Sequence, residues 1–96
     1  MGGGSRKRPV PKHLAKKLRA IRERLGVGQA EMAKLLRSGQ SAPDGGMVSR
    51  FERGEREPNL FVIVAYARLA KVSTDVLIDD AWSISDLVKE MPKRHS

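Results

Sequence analysis

The sequence predicts an all-α domain, and three features support that prediction. Apolar residues recur at steps of three and four along the first third of the chain, which is the spacing of one face of an α-helix. No segment alternates apolar and polar residues in the way that a half-buried β-strand does. Turn-forming residues divide the chain into short segments, and its 96 residues suit one small domain with short tails.

Two helices are predicted before residue 38. The first covers about 11–25 and ends at Gly26, because glycine readily adopts the left-handed conformation that ends many helices. Its apolar stripe consists of Leu14, Leu18, Ile21 and Leu25. Lysine and arginine fill most of its other face. The second helix, "QAEMAKLLR", covers 29–37.

A loop and a third helix are predicted next. The loop "SGQSAPDGG", at 38–46, is dense in turn-forming residues. The helix "MVSRFER", at 47–53, directs Val48 and Phe51 towards the core because the two lie three residues apart. Gly54 is expected to end it.

The fourth and fifth helices are predicted from their N-caps and their apolar content. Asn59 is a suitable N-cap for a fourth helix over 60–71, which is apolar almost all round and is therefore expected to be the buried centre of the domain. Ser73 is a suitable N-cap for a short fifth helix over 74–78.

A short sixth helix is predicted near the C-terminus. Ser83 and Asp86 resemble a capping box, in which each side chain accepts a hydrogen bond from the backbone of the other residue. The apolar stripe of this helix consists of Ile84, Leu87, Val88 and Met91. Together with Trp82 it either supplies a dimer surface or covers the core.

The positive charge is concentrated at the N-terminus. The net charge is +8, and residues 1–25 hold nine Lys and Arg against one Glu, whereas 26–96 hold ten basic and ten acidic residues. A basic patch of this kind indicates a polyanionic partner, most often nucleic acid, or else a solvated face. Residues 1–10 are expected to form a flexible basic arm. The basic residues assigned to contacts from this arm are Arg6, Lys7, Arg8 and Lys12.

Several classes of function lack support in the sequence. Cysteine is absent, which excludes disulfides and thiolate metal sites and fits a reducing, cytoplasmic location. The longest apolar run, at 60–67, is too short to span a membrane, so no membrane association is expected. His13 and His95 lie far apart and no catalytic or metal-binding constellation is visible. The chain is therefore expected not to be an enzyme and to need no cofactor or metal.

Two segments resemble a known family. "LRAIRERLGVGQAEMAKLL" followed by "MVSRFERGEREPNLFVIVAYARLAKVSTDVLI" is similar to the Xre family of phage-repressor and Cro-like domains. The resemblance covers about 12–80 and implies a five-helix, lambda-repressor-like helix-turn-helix domain. It places the DNA-binding domain at 11–80, after the arm, and leaves 81–96 as a C-terminal extension.

The resemblance also implies roles for individual residues. Arg22 and Glu52 match a pair that joins the first and third helices by an ion pair. Gln29 matches the residue that opens the second helix and binds a backbone phosphate. The full set of expected phosphate contacts is Gln29, Lys34, Arg53 and Arg56.

The positions expected to contact bases depart from the family pattern. Relatives often carry long polar side chains just before and within the third helix. The equivalent residues here are Gly45, Gly46, Met47, Ser49 and Arg50. The glycines cannot reach a base edge, and Met47 can either make an apolar contact with a base or pack against the protein. Ser49 can bond to several bases, and Arg50 can bind guanine through two hydrogen bonds.

The loop before the third helix resembles an insertion. Val48 lies 15 positions after Ala33, which is more than is usual in the family. The loop, including Gly45 and Gly46, either lies near DNA or is inert. Its polar side chains with the reach to contact DNA are Ser38, Gln40 and Ser41.

The function predicted from the sequence is that of a bacterial or phage transcriptional regulator that binds double-stranded DNA. Residues 46–53 would enter the major groove, and a homodimer would bind a palindromic site. In a bacterium it would be associated with the nucleoid. The alternative is a protein-interaction module of the same fold, such as an antitoxin or adaptor. Gly45 and Gly46 favour this alternative, since they stand at base-contacting positions and cannot reach a base. The basic arm argues against it.

Overall fold

The structure, a computed structural model, describes residues 11–37 and 43–92. Within these ranges it contains six α-helices and no β-strand. The helices are α1 (Leu14–Leu25), α2 (Gln29–Leu35), α3 (Gly45–Glu52), α4 (Leu60–Ala70), α5 (Thr74–Ile78) and α6 (Ile84–Glu90). The predictions of an all-α fold and of a short sixth helix are confirmed.

The core forms around α1. Leu18 and Ile21 of its apolar stripe are fully buried, and the helix packs against α3, α4, α5 and α6. α2 packs mainly against α3 and contributes Met32 to the core. Because α2 and α3 contact each other closely and α3 also contacts α1, the position of α3 depends on both of its neighbours.

Lys17 is buried on the apolar side of α1. Its Nζ atom donates hydrogen bonds to the carbonyl oxygen of Val76, at 2.8 Å, and to that of Asp79, at 3.1 Å. The last carbonyls of a helix have no partner within the helix, so the ammonium group satisfies acceptors at the end of α5. Burial lowers the pKa of Lys17, and the nearby carboxylates of Asp80, Asp79 and Asp86 oppose that shift.

Asp80 makes a second connection between the same two helices. Its carboxylate accepts hydrogen bonds from the backbone N–H groups of Lys12, at 2.9 Å, and His13, at 3.3 Å. The side chain of His13, the N-cap of α1, makes no capping bond, so Asp80 supplies an acceptor there. The bond from Lys12 is the main reason that the pKa of Asp80 lies below its usual range.

α3 begins earlier than the sequence predicts. The loop was expected to run to residue 46, but Asp44 is the N-cap and its Oδ1 accepts the N–H of Met47 at 2.8 Å. Gly45 and Gly46 therefore form the first turn of α3, since a capping aspartate outweighs the low helix propensity of two glycines. A Cβ atom at Gly45 would lie 3.3 Å from the Cα of Ala30, so a small residue is needed where α2 and α3 meet.

α4 is less buried than the sequence predicts. Its side chains Leu60 and Phe61 are 73% and 65% exposed, whereas Tyr66 is fully buried. The expectation that α4 is the buried centre of the domain holds for one face only, because a domain of this size does not enclose every face of an 11-residue helix. Three helices are also shorter than predicted: α1 begins at Leu14, α2 ends at Leu35 and α4 ends at Ala70.

α6 packs against α1, and its predicted capping box is present. Ser83 Oγ accepts the N–H of Asp86 at 3.0 Å, and Asp86 Oδ2 accepts the N–H of Ser83 at 2.9 Å. Leu87 and Met91 lie in the core, so these two residues cover it and do not form an external surface. Trp82, Ile84 and Val88 are half-buried.

Replacing Leu87 by alanine tests whether α6 is part of the core. Because Leu87 is fully buried in the native state, Leu87→Ala should lower the free energy of unfolding by roughly 2–5 kcal/mol. Urea denaturation measures this change. The exposed Lys89 on the same helix provides the control, and Lys89→Ala should change stability by less than about 0.5 kcal/mol. Equal effects of the two substitutions would contradict the packing described.

Replacing Asp80 by asparagine tests the connection between α5 and α1. The folded-state pKa of Asp80 is lowered, so its contribution is present above the unfolded-state pKa and is lost as pH falls through the folded-state value. Asparagine keeps an acceptor oxygen but does not titrate. Thermal melts between about pH 6 and pH 2 should therefore show a shallower fall in Tm for Asp80→Asn than for the parent. Parallel curves would show that Asp80 does not contribute.

Candidate functional site

A buried ion pair joins the first and third helices. Arg22 Nε lies 2.6 Å from Glu52 Oε2, and Arg22 Nη2 lies 3.1 Å from Glu52 Oε1, so the contact is bidentate. The Glu52 side chain is 4% exposed and that of Arg22 is 16% exposed. The hydrogen bond to Glu52 raises the pKa of Arg22. The two residues that the resemblance pairs therefore meet in the structure, and they fix α3 against α1.

The same two residues also bind the segment that leads into α2. Arg22 Nη1 donates to the carbonyl oxygen of Val27 at 3.0 Å, and Gln29 Nε2 donates to Glu52 Oε1 at 3.2 Å. Gln29 is the first residue of α2. Glu52 therefore accepts hydrogen bonds from residues of α1 and α2 while belonging to α3, and one carboxylate sets the relative positions of three helices.

The outer face of α3 carries polar and small residues. Gly46, Ser49, Arg50 and Arg53 are spaced three, four and seven residues apart, which places them on one side of the helix. Val48 and Phe51 face the opposite way and are buried. α3 thus presents a continuous polar face on the side away from the core.

The residues expected to contact bases have different surroundings on this face. Arg50 is exposed. Ser49 is half-buried, and its Oγ accepts a hydrogen bond from Arg53 Nη1. Met47 is half-buried and packs against the core, as one of its two expected roles requires. A Cβ atom at Gly46 would approach only Asp44 Oδ1, at 3.3 Å, so this position leaves open space on the outer face.

The end of α3 is fixed by a glycine in the left-handed conformation. Gly54 has a φ of 73°, and its N–H donates to the carbonyl of Phe51 at 3.1 Å. The N–H of Glu55 donates to the carbonyl of Arg50 at 2.9 Å. These two bonds are those of a Schellman motif, which turns the chain back over the end of the helix.

The turn brings Glu55 against Arg53. Arg53 Nε lies 2.9 Å from Glu55 Oε2 and Arg53 Nη2 lies 3.1 Å from Glu55 Oε1. The hydrogen bond between them lowers the pKa of Glu55 and raises that of Arg53. Arg56 is exposed just beyond, and Lys34 is exposed in the last turn of α2. The four expected phosphate contacts thus lie on α2, on the end of α3 and on the segment after it.

A cleft of about 280 Å³ lies between the start of α1 and the segment after α3. Lys12 and Arg56 line it, together with the apolar side chains of Leu14, Phe51 and Pro58. Pro11 and Lys12, at the start of the described residues, therefore lie next to the end of α3. The remaining predicted contacts, Arg6, Lys7, Arg8, Ser38, Gln40 and Ser41, lie outside the residues that the structure describes.

Two contacts of the site were not anticipated from the sequence. The bond of Gln29 to Glu52 depends on how α2 folds back, for which no local sequence signal exists. The pairing of Arg53 with Glu55 has a signal, because a basic residue before a helix-ending glycine and an acidic one after it are brought together by the turn at Gly54.

No group of three or more His, Asp or Glu side chains that could hold a metal ion occurs within 11–37 and 43–92. In the same part of the chain, no helix combines the length and the apolar character that crossing a membrane requires.

Comparison with known proteins gives two matches. A protein family described as "Helix-turn-helix domain" matches residues 13–81. Among solved structures, the chain is similar to the P22 c2 repressor protein in complex with the synthetic operator 9T in the presence of Tl⁺. The two share 27% sequence identity at a TM-score of 0.60, over 70% of this chain and 94% of that one. No curated protein matches the chain.

Replacing Glu52 by glutamine tests the ion pair that fixes α3. The substitution leaves the Arg22 charge largely buried and without its counter-charge, so the free energy of unfolding should fall by roughly 3–5 kcal/mol. Glu23→Gln is the matched control, because Glu23 pairs with Arg19 at 3.1 Å but is 56% exposed, and it should cost less than about 1 kcal/mol. Chemical denaturation measures both. A similarly small effect of both substitutions would show that the pair does not hold α3 in place.

Proposed function

The chain belongs to the helix-turn-helix family of Xre- and Cro-like domains, and we propose that it is a DNA-binding transcriptional regulator whose α3 enters the major groove. The similar solved structure is that of a repressor in complex with a synthetic operator. The observation that carries the proposal is the outer face of α3. It is polar, it lies opposite two buried side chains, and Glu52 fixes it against the two preceding helices.

Base recognition is proposed for the outer face of α3. An α-helix fits the major groove, where an arginine can bind guanine O6 and N7 through two hydrogen bonds. Arg50 is an exposed side chain on this face with the length and donors for that contact, whereas the guanidinium of Arg53 is bonded to Glu55. Ser49 would add a hydrogen bond near it. Met47 and Gly46 would contribute little to sequence discrimination, because one packs inward and the other has no side chain.

Phosphate contacts are proposed for the residues around this face. The Gln29 amide group has two N–H donors, and only one is needed for its bond to Glu52. The other remains available for a phosphate oxygen, with the amide already held in place. Lys34, Arg53 and Arg56 are exposed cations near α3 and would contact the backbone on either side of the groove.

The basic N-terminal arm is proposed to bind DNA next to α3. Residues 1–25 carry the entire excess of positive charge. The cleft lined by Lys12 and Arg56 places the start of the domain beside the end of α3. Contacts from an arm at 1–10 would therefore extend the surface of the domain at 11–80. They would add affinity that depends strongly on salt, but little specificity.

We also propose that the protein binds a palindromic site as a dimer, since helix-turn-helix dimers place their recognition helices on two half-sites about one helical turn apart. In the C-terminal extension at 81–96, Trp82, Ile84 and Val88 keep part of their surface exposed and are available for such a contact.

A protein-interaction module remains the second candidate, and one observation favours it. Leu60 and Phe61 form an exposed apolar pair at the start of α4. Salt separates the two candidates, because DNA binding weakens steeply with added salt whereas an apolar contact does not.

Replacing Arg50 by alanine tests the proposed function. Duplexes preferred by the parent protein are first selected from a random pool, and binding is then titrated at fixed salt. Arg50→Ala should bind the selected site about 1–3 kcal/mol more weakly and lose its preference for one base pair. Arg68→Ala is the control, because Arg68 is an exposed arginine on α4, and it should bind like the parent.

Two results would count against the proposal. If the parent protein selects no duplex, the protein is not a sequence-specific DNA-binding regulator. If Arg50→Ala binds the selected site with the affinity and base preference of the parent, Arg50 does not contact a base.

A further inference from the structure

Arg53, at the end of α3, is bonded to other side chains of the same chain. A guanidinium group has five N–H donors, and three of those on Arg53 are used within the protein. Nε and Nη2 bind the two carboxylate oxygens of Glu55, at 2.9 and 3.1 Å, and Nη1 binds Ser49 Oγ. One of the two guanidinium edges that can bind a phosphate through two hydrogen bonds, the edge formed by Nε and Nη2, is therefore occupied by a carboxylate of the same chain.

The backbone holds Glu55 in this position. Its N–H is bonded to the carbonyl of Arg50, and the left-handed conformation of Gly54 directs the chain back towards the helix end. Both side chains are about half exposed, at 55% for Arg53 and 54% for Glu55, so a competing anion can reach the pair. Glu55 also lies near the positive charge of Arg50. The acidic group thus lies beside two of the arginines proposed to contact DNA.

We propose that Glu55 is an internal competitor of the DNA phosphate at Arg53, so that the protein binds DNA less tightly than its cations alone would allow. This inference rests on the proposed DNA-binding function. A phosphate that binds Arg53 through Nε and Nη2 must displace the Glu55 carboxylate, so one anion replaces another. The exchange also leaves an unpaired carboxylate near the DNA backbone. Arg53 consequently adds less to affinity and to salt dependence than a free arginine would.

The competitor acts on every duplex alike. Phosphates are the same at every position, so displacing Glu55 from Arg53 has no sequence preference. Glu55 should lower affinity for the preferred site and for unrelated DNA by the same factor. Its effect is to weaken the sequence-independent part of binding, and the base contact at Arg50 is left as it is.

The experiment measures binding of Glu55→Gln to the selected duplex and to a scrambled duplex, across a range of salt concentrations. Glutamine keeps the size of the side chain and removes its charge. Both duplexes should bind about threefold to tenfold more tightly at ~0.1 M salt. The slope of log K against log salt should become steeper by about 0.9, the value for one added phosphate contact. Because the pair is exposed, the variant should fold like the parent, which its Tm checks.

Two further variants show whether Glu55 acts through Arg53. In an Arg53→Ala background, adding Glu55→Gln should raise affinity clearly less than it does in the parent, since only the repulsion between the carboxylate and the DNA backbone is then removed. The matched charge control is Glu23→Gln, because the Arg19–Glu23 pair has a similar distance, 3.1 Å, and similar exposure. It removes the same charge from an exposed pair on α1 and should leave affinity close to that of the parent.

Each contrary outcome has a distinct meaning. Weaker binding by Glu55→Gln would overturn the inference and show that Glu55 positions Arg53 for a contact. Tighter binding to the selected duplex alone would overturn it by making Arg53 a base-contacting residue. The inference would also be overturned if Glu55→Gln raised affinity as much in the Arg53→Ala background as in the parent, or if Glu23→Gln raised it as much as Glu55→Gln. Either result would show that the lost carboxylate acts by charge repulsion alone. If the parent binds no duplex, the proposed function fails. If the parent binds DNA and Glu55→Gln binds it with the same affinity, only this inference is overturned.

Discussion

The bidentate ion pair between Arg22 and Glu52 is the interaction on which the rest of the site depends. A carboxylate that is almost fully buried is stable only if its oxygens are bonded, and here the bonding groups come from α1 and from Gln29 of α2. The requirement to satisfy Glu52 therefore fixes the relative positions of three helices. Because Glu52 is the last residue of α3, it also fixes the end of the helix whose outer face carries Arg50.

A second polar arrangement acts at the other end of α1. Lys17 satisfies carbonyl groups at the end of α5, and Asp80 bonds the backbone at the start of α1. α1 is thus fixed by polar contacts at both ends and by apolar packing between them. This bears on the proposed function, because Lys12 and His13, from which the proposed arm would extend, are bonded to Asp80, and Lys12 also lines the cleft at the end of α3.

Most features that local sequence determines were predicted, although the start of α3 was not. Contacts distant in sequence were predicted only where the family resemblance supplied them, as for Arg22 and Glu52. The stripe of α1 and the capping box at Ser83 depend on spacing and side-chain chemistry within one helix. The exposure of Leu60 depends on how much surface the other helices cover, which the helix sequence does not contain. Lys17 has a signal that can be recognised, since a lysine three residues after Leu14 and next to Leu18 lies on the apolar stripe. At the site, the spacing of residues shows which of them share the face of α3, but it does not show that the Glu55 carboxylate accepts two hydrogen bonds from Arg53.

An NMR titration of the labelled protein with a duplex selected from a random pool tests whether the face of α3 fixed by Glu52 binds DNA. We expect the largest changes in amide chemical shift at 44–56 and at the start of α2, with small changes in α5 and α6. Changes concentrated at Leu60, Phe61 and α6, with α3 unaffected, would contradict it.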